Sequence, residues 1–243
     1  MPDIAARILQ SLSAVDVERR KRAATPGLAD TVDALKTYQQ QRFARTHAAL
    51  LAHPRYGRAA NFFLNELYGP QDFTQRDAQF SRIVPALARL FPADTVGTVA
   101  SLAAVHALSE RLDTAMAIHL GAELPGRSSY VRAWQRTGEP AARAQQIELV
   151  MSVGQALDRH TRSFVLRASL KAMRGPARAA GMGALQTFLE AGFDAFGAMG
   201  GAKEFLAIIH ARETALAKRL FDPTAVAAAT VPLAADDVLG QLP

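Results

Sequence analysis

Apolar residues recur along the chain at spacings of three and four, the period of one helix face. Ile4, Ile8, Leu12 and Val15 open the pattern. Thr25-Pro26 reads as an N-cap followed by proline at the first helical position. The helix it opens carries Leu28, Val32, Leu35, Phe43 and Leu50 and stops at His53-Pro54. A short, very apolar helix over Ala59–Leu67 ends at Gly69-Pro70. Asp72 is placed to cap the next, with Phe80, Ile83, Leu87 and Leu90, and Pro85 inside it predicts a kink or break.

Pro92 opens a long helix from Val96 to Leu120, expected at the centre of the bundle. Leu124-Pro125-Gly126 is a turn, followed by a short helix around Tyr130 to Arg136. Ile147, Val150, Leu157, Phe164 and Leu170 mark one further helix, closed by Gly175-Pro176. A glycine-rich apolar segment holds Leu185, Phe188, Leu189, Phe193 and Phe196. After Gly200-Gly201 the last helix carries Phe205, Ile208, Ile209, Leu216 and Leu220. From Asp222 the stripe is lost, which predicts a loosely packed tail or a partner-binding extension.

No alternating Val/Ile/Thr run suggests a sheet. The pattern therefore predicts an all-α, single-domain bundle of roughly eight helices. Residues 1–24 form an N-terminal helix or arm, 25–221 the bundle, and 222–243 the tail.

Composition supports a globular core: 49% of residues are hydrophobic and 21% charged. The absence of cysteine excludes disulfides, thiolate metal sites and cysteine nucleophiles, and fits a reducing, cytoplasmic setting. No apolar run reaches the roughly 18 residues of a membrane span. The net charge of +6 invites an anionic partner. Its one dense run, Arg19-Arg20-Lys21-Arg22, lies at a helix end and reads as solvated, which makes nucleic acid an unfavoured partner.

Three segments could carry chemistry. Around Gly69-Pro70 the structural reading is a corner capped by Asp72, plugged by Tyr68 and Phe73 and tied by an Asp72–Arg76 pair. The functional reading puts Asn65, Glu66, Tyr68 and Arg76 at the mouth of a pocket. On the long helix His106, Glu110 and Asp113 share a face, and His210 with Glu213 sit one turn apart later. Such groups could hold a divalent metal, or simply form a polar helix contact. The Gly/Phe segment reads as close helix crossing, or as room for a flat apolar ligand against Phe188 and Phe193.

No phosphate-binding loop, dinucleotide fingerprint, zinc-protease motif or nucleophile elbow is present. The expected function is a non-enzymatic helical binding or interaction protein, acting with a protein partner or as a homo-oligomer. One alternative is a bundle holding a small apolar or planar ligand or a metal, with redox chemistry; another is an anion or nucleic-acid binder. No particular cofactor is implied.

Several phrases carry a resemblance. They are Phe62-Phe63-Leu64-x-x-Leu67-Tyr68-Gly69-Pro70-x-Asp72-Phe73-x-x-Arg76-Asp77, Leu108-Ser109-Glu110-x-Leu112-Asp113, and Leu185-Gln186-x-Phe188-Leu189-Glu190-x-Gly192-Phe193. The chain resembles an uncharacterised bacterial family of all-helical proteins over roughly residues 25–221. That resemblance implies one coherent unit and no particular activity.

Overall fold

A computed structural model describes residues 4–67, 70, 71, 73–233 and 237–243. All regular structure among them is helical. The helices are α1 (Ile4–Ala24), α2 (Leu28–Thr46), α3 (Ala48–Leu51), α4 (Gly57–Phe62), α5 (Thr74–Leu90), α6 (Ala93–Leu120) and α7 (Arg127–Thr137). Then come α8 (Pro140–Thr161), α9 (Phe164–Ala172), α10 (Arg174–Ala179), α11 (Gly183–Ala198), α12 (Lys203–Leu220) and α13 (Ala225–Ala228). A π-helical turn, Phe63–Leu67, extends α4, and a 3-10 turn covers Val238–Gln241. None of these helices is long and apolar enough to cross a membrane.

The helices outnumber the eight expected because two predicted elements are broken and the short α10 and α13 add to them. The run to Leu50 is cut at His47, whose φ of −113° leaves the helical range. The run from Ile147 to Leu170 is cut at Ser163, which caps α9 by accepting a hydrogen bond from the Leu166 amide. Gly175-Pro176 then lies inside α10 instead of ending a helix. Past the second break the face is not kept: Ile147, Val150 and Leu157 are half-buried, whereas Phe164 turns outward.

One local expectation fails and another is narrowed. Thr25 does not cap α2: its hydroxyl donates back to the Lys21 carbonyl, and Gly27 at φ 74° supplies the left-handed residue from which α2 starts. Pro85 does not break α5, which runs unbroken from Thr74 to Leu90 with the proline on its exposed side.

α6 is the central helix, as its apolar run predicts. It packs against α1, α2, α5, α7 and α8. Three apolar clusters surround it. One joins α2, α6, α7, α12 and the C-terminus around Leu35, Tyr130 and Leu220. A second joins α4, α11 and α12 around Phe63, Phe196 and Phe205. The third joins α1, α5 and α6 around Ile8, Val84 and Val96.

The tail is packed, contrary to expectation. Leu239 and Leu242 are fully buried in the first cluster. Tyr38 and Arg45 donate to the carbonyls of Pro243 and Leu242, and Arg219 pairs with Asp237 at 3.1 Å. The basic run at the end of α1 is not uniformly solvated either. Arg20 and Lys21 are exposed, but Arg22 is buried and Arg19 half-buried, because positions 19 and 22 continue the Ile8, Leu12, Val15 stripe.

Candidate functional site: an amphiphilic internal cavity

A cavity of about 200 Å³ lies where the three clusters meet. Its lining along α6 extends from Val99 to Asp113, about 21 Å of helix axis. α8 runs antiparallel beside it, with Gln146 bonded to Ser109 and His160 facing Thr98. The lining changes character along that direction. Val99, Leu102, Phe80, Ile83, Val150 and Leu185 surround one end. Lys36, Gln39, Arg42, Arg143, Asp113 and Glu213 line the other. Arg76, Asp77 and His106 form a belt between them.

The polar end is held by buried ion pairs. Arg22 Nη1 donates to Glu110 Oε2 at 2.5 Å, Arg22 Nε donates to Thr114, and Lys36 Nζ takes the other Glu110 oxygen at 2.5 Å. Burial alone would raise the Glu110 carboxyl, but Lys36 and Arg22 outweigh it and hold its pKa at about 2. Glu213 repeats the arrangement with Arg42 at 2.5 Å and the fully buried His47 at 2.8 Å. Burial opposes ionisation there too, and Arg42 and His47 bring the pKa to about 2. Asp113 is different: Gln39 donates to it at 3.1 Å, and burial raises its pKa. In the belt, Asp77 Oδ2 lies 2.6 Å from Arg19 Nη2 and 2.9 Å from His106 Nε2. Burial pushes Asp77 up, but these partners and Arg76 bring it below its ordinary value.

Arg76 is the least satisfied of these groups. Its guanidinium carbon lies 3.8 Å from the Phe73 ring centroid and 4.6 Å from that of Phe188, so the cation is stacked on both rings. Its Nε is 3.5 Å from Asp77 Oδ1. Its Nη1 is buried and has no hydrogen-bond partner among the described residues. Burial lowers its pKa, partly offset by the nearby Asp77 and Glu66 charges. An orphan buried N–H of this kind is rare in proteins, since it forfeits a hydrogen bond that water would give.

Of the pocket residues expected from sequence, Glu66, Arg76 and Phe188 line the cavity. Asn65 instead edges a shallow outer groove with Asn61 and Asp194. Phe193 is not among the cavity walls; it faces Arg167, whose guanidinium carbon is 5.7 Å from its ring centroid. Tyr68 and Asp72, and with them the predicted cap and pair, lie outside the described residues. The glycine-rich segment owes Gly192 to close packing, because a Cβ there would fall 2.9 Å from Phe62 Cζ.

The metal set does not assemble. His106, Glu110 and Asp113 do share the inward face of α6, but each is taken by a protein partner: Asp77, the Arg22–Lys36 pair and Gln39. His210 turns to Glu148 on the surface while Glu213 points inward to Arg42 and His47. No three described histidine, aspartate or glutamate residues are grouped to hold a metal ion. Sequence reading passed over Arg22, Lys36, Arg42 and Arg143. Their signal is positional, as polar residues on or beside an apolar stripe: Lys36 and Gln39 next to Leu35, and Arg143 and Gln146 in register with Val150.

Fold and cavity together define an all-helical protein with an amphiphilic chamber. The chain belongs to a family of unknown function, DUF8198, whose model matches residues 18–226. No curated protein and no solved structure matches the chain.

Proposed function

We propose that this is a non-enzymatic helical binding protein whose cavity holds a small amphiphilic anion, a single ring or short chain bearing a carboxylate-like head. The observation that carries the reading is the buried, unpartnered Nη1 of Arg76 on the wall of a largely apolar chamber. Size narrows the ligand. The chamber, at about 200 Å³, exceeds the ~150 Å³ cavity known to take benzene, and falls below the ~300 Å³ lower end for drug-sized ligands.

Charge narrows it further. Lys36, Arg42, Arg76 and Arg143 line the chamber with the carboxyl groups of Glu66, Asp77, Glu110, Asp113 and Glu213, and Arg19 and Arg22 reach Asp77 and Glu110 from outside it. Asp113 is biased towards its neutral form by burial. With Asp113 neutral the lining is balanced, and because Arg19 and Arg22 serve Asp77 and Glu110 from outside, the unpartnered Arg76 N–H is left to receive an anionic head. Glu110, Asp77 and Glu213 are each matched by cations, which suits fixing a charge in place more than relaying protons.

The test is native mass spectrometry of the purified protein against a denatured control, followed by calorimetric titration with benzoate and with short-chain fatty acids. A bound mass of small-molecule size, or saturable one-to-one binding of one such anion and not of its uncharged amide, supports the reading. No bound mass together with no heat from any of these anions contradicts it.

A further inference from the structure

The cationic surplus of the chain has an address. Between Arg159 and Leu189 there are six basic residues, Arg159, Arg162, Arg167, Lys171, Arg174 and Arg178, and no aspartate or glutamate. The net charge of the whole protein is +6, so the remainder is balanced. This segment folds as α9 and α10, which lie against α11 and the end of α8. The inner side of α9 is formed by the half-buried Leu166, Ser169 and Leu170. Its outer side carries Phe164, Ala168, Lys171 and Ala172, flanked by Val165 and Arg167. Phe164 is 83% exposed, Val165 70% and Met173 47%.

Exposed single hydrophobes are ordinary on protein surfaces. Here Phe164 and Val165 adjoin on the outer side of α9 among basic residues, while Met173 continues the inner stripe of Ser169 and Leu170. Arg162 and Arg174 are neutralised by Asp158 and Glu190 at 2.7 and 2.8 Å. Arg167 is turned inward, donating to the Thr161 carbonyl and lying over the Phe193 ring. Among the described residues, Lys171 and Arg178 have no carboxylate at ion-pair distance, and both are exposed.

We infer that the outer face of α9 docks on an anionic lipid surface, with Phe164 and Val165 entering the interface and Lys171, joined by Arg178 of α10, meeting the headgroups. A basic helix with aromatic and aliphatic residues on its outer face is the chemistry of interfacial attachment. The anionic headgroups supply the charge that these two cations lack. A duplex nucleic acid would use the cations but leave Phe164 and Val165 without a role, since its grooves and phosphates offer no apolar layer. The contact is peripheral and independent of the internal cavity.

The experiment is flotation of the full chain with vesicles of phosphatidylcholine alone, and of phosphatidylcholine mixed with phosphatidylglycerol, at rising salt. The expected result is binding to the mixed vesicles, weakening with salt, and little to the neutral ones. Two variant pairs at exposed positions separate the contributions. F164S with V165S removes the apolar contact without changing charge, and K171Q with R178Q removes charge; each is expected to lower partitioning at least about tenfold. Circular dichroism and melting confirm that both remain folded. Binding to neither vesicle overturns the inference, as does equal binding to both. Tighter binding to a DNA duplex than to mixed vesicles, untouched by F164S with V165S, overturns it in favour of nucleic acid.

Discussion

Arg22, near the end of α1, donates from Nη2 to the backbone carbonyl of Glu110 at 2.6 Å while its Nη1 holds the same residue's carboxylate at 2.5 Å. One side chain thus binds both the charge and the main chain of the central helix. Lys36 closes the carboxylate from α2, so three helices are fixed in register at a single buried acid.

Glu110→Gln is therefore expected to be strongly destabilising. It leaves Arg22 and Lys36 buried without their counter-charge, and breaking one side of a buried pair costs about 3–5 kcal/mol. Replacing Glu148, an exposed acid, should change stability by less than about 0.5 kcal/mol. Equilibrium denaturation in urea compares the two. A loss of under about 1 kcal/mol in the Glu110→Gln variant would show that the pair contributes little.

Acid sensitivity follows from the same residues. Glu110 and Glu213 have pKa values of about 2 in the fold, below the ordinary glutamate value of about 4.3. A carboxyl depressed by folding stabilises above its unfolded pKa, and that stability fades as pH falls towards the folded one. Stability should thus be flat near neutrality and decline from about pH 5 down to about pH 2. Each group contributes about 3 kcal/mol, from roughly two units at 1.36 kcal/mol each. Asp113, raised by burial, works in the opposite direction and offsets part of the decline. Thermal melts across this range in wild type and the Glu110→Gln variant should converge as pH falls.

Arg76 carries the ligand reading and separates charge from geometry. Arg76→Lys keeps the cation but loses the flat group stacked between Phe73 and Phe188. A hydrogen bond to a charged group is worth about 1.5–3 kcal/mol. Calorimetry with the best-binding anion should show about 10- to 100-fold weaker affinity in Arg76→Gln, with Arg76→Lys only partly restoring it. Leu102→Phe, at the apolar end, should block binding by filling the chamber while leaving the melting temperature within a few degrees.

How much of this was legible in the sequence depends on what each position had to signal. The helices and the central place of α6 follow from apolar spacing alone, which needs no partner to be identified. His106, Glu110 and Asp113 could be placed on one face for the same reason. What they meet there depends on Arg22, Lys36 and Gln39, brought in from α1 and α2, and spacing within one helix carries nothing about a neighbouring helix. The charged run at Arg19–Arg22 shows where the clue lay. Two of its four residues sit on the apolar stripe of α1, and those two turn inward. The packed tail was hidden because Leu239 and Leu242 complete a surface built by other helices and show no period of their own.

Gly192 tests the close-packing account of the glycine-rich helix by opposing two effects. Alanine at an interior helix position gains about 1 kcal/mol in propensity over glycine. Its Cβ, however, would lie 2.9 Å from Cζ and 3.3 Å from Cε2 of Phe62, a ring buried between α4 and α11. Overpacking of this kind costs about 1–3 kcal/mol, so the clash should win and Gly192→Ala should lower stability. In a Phe62→Leu background the obstacle is removed while the propensity gain persists. There the same substitution should become neutral or stabilising relative to Phe62→Leu alone. A double-mutant cycle by chemical denaturation reads the difference directly. Additive effects of the two changes would mean that α4 and α11 do not meet at this glycine, because only contact between positions 62 and 192 makes the sign of one substitution depend on the other.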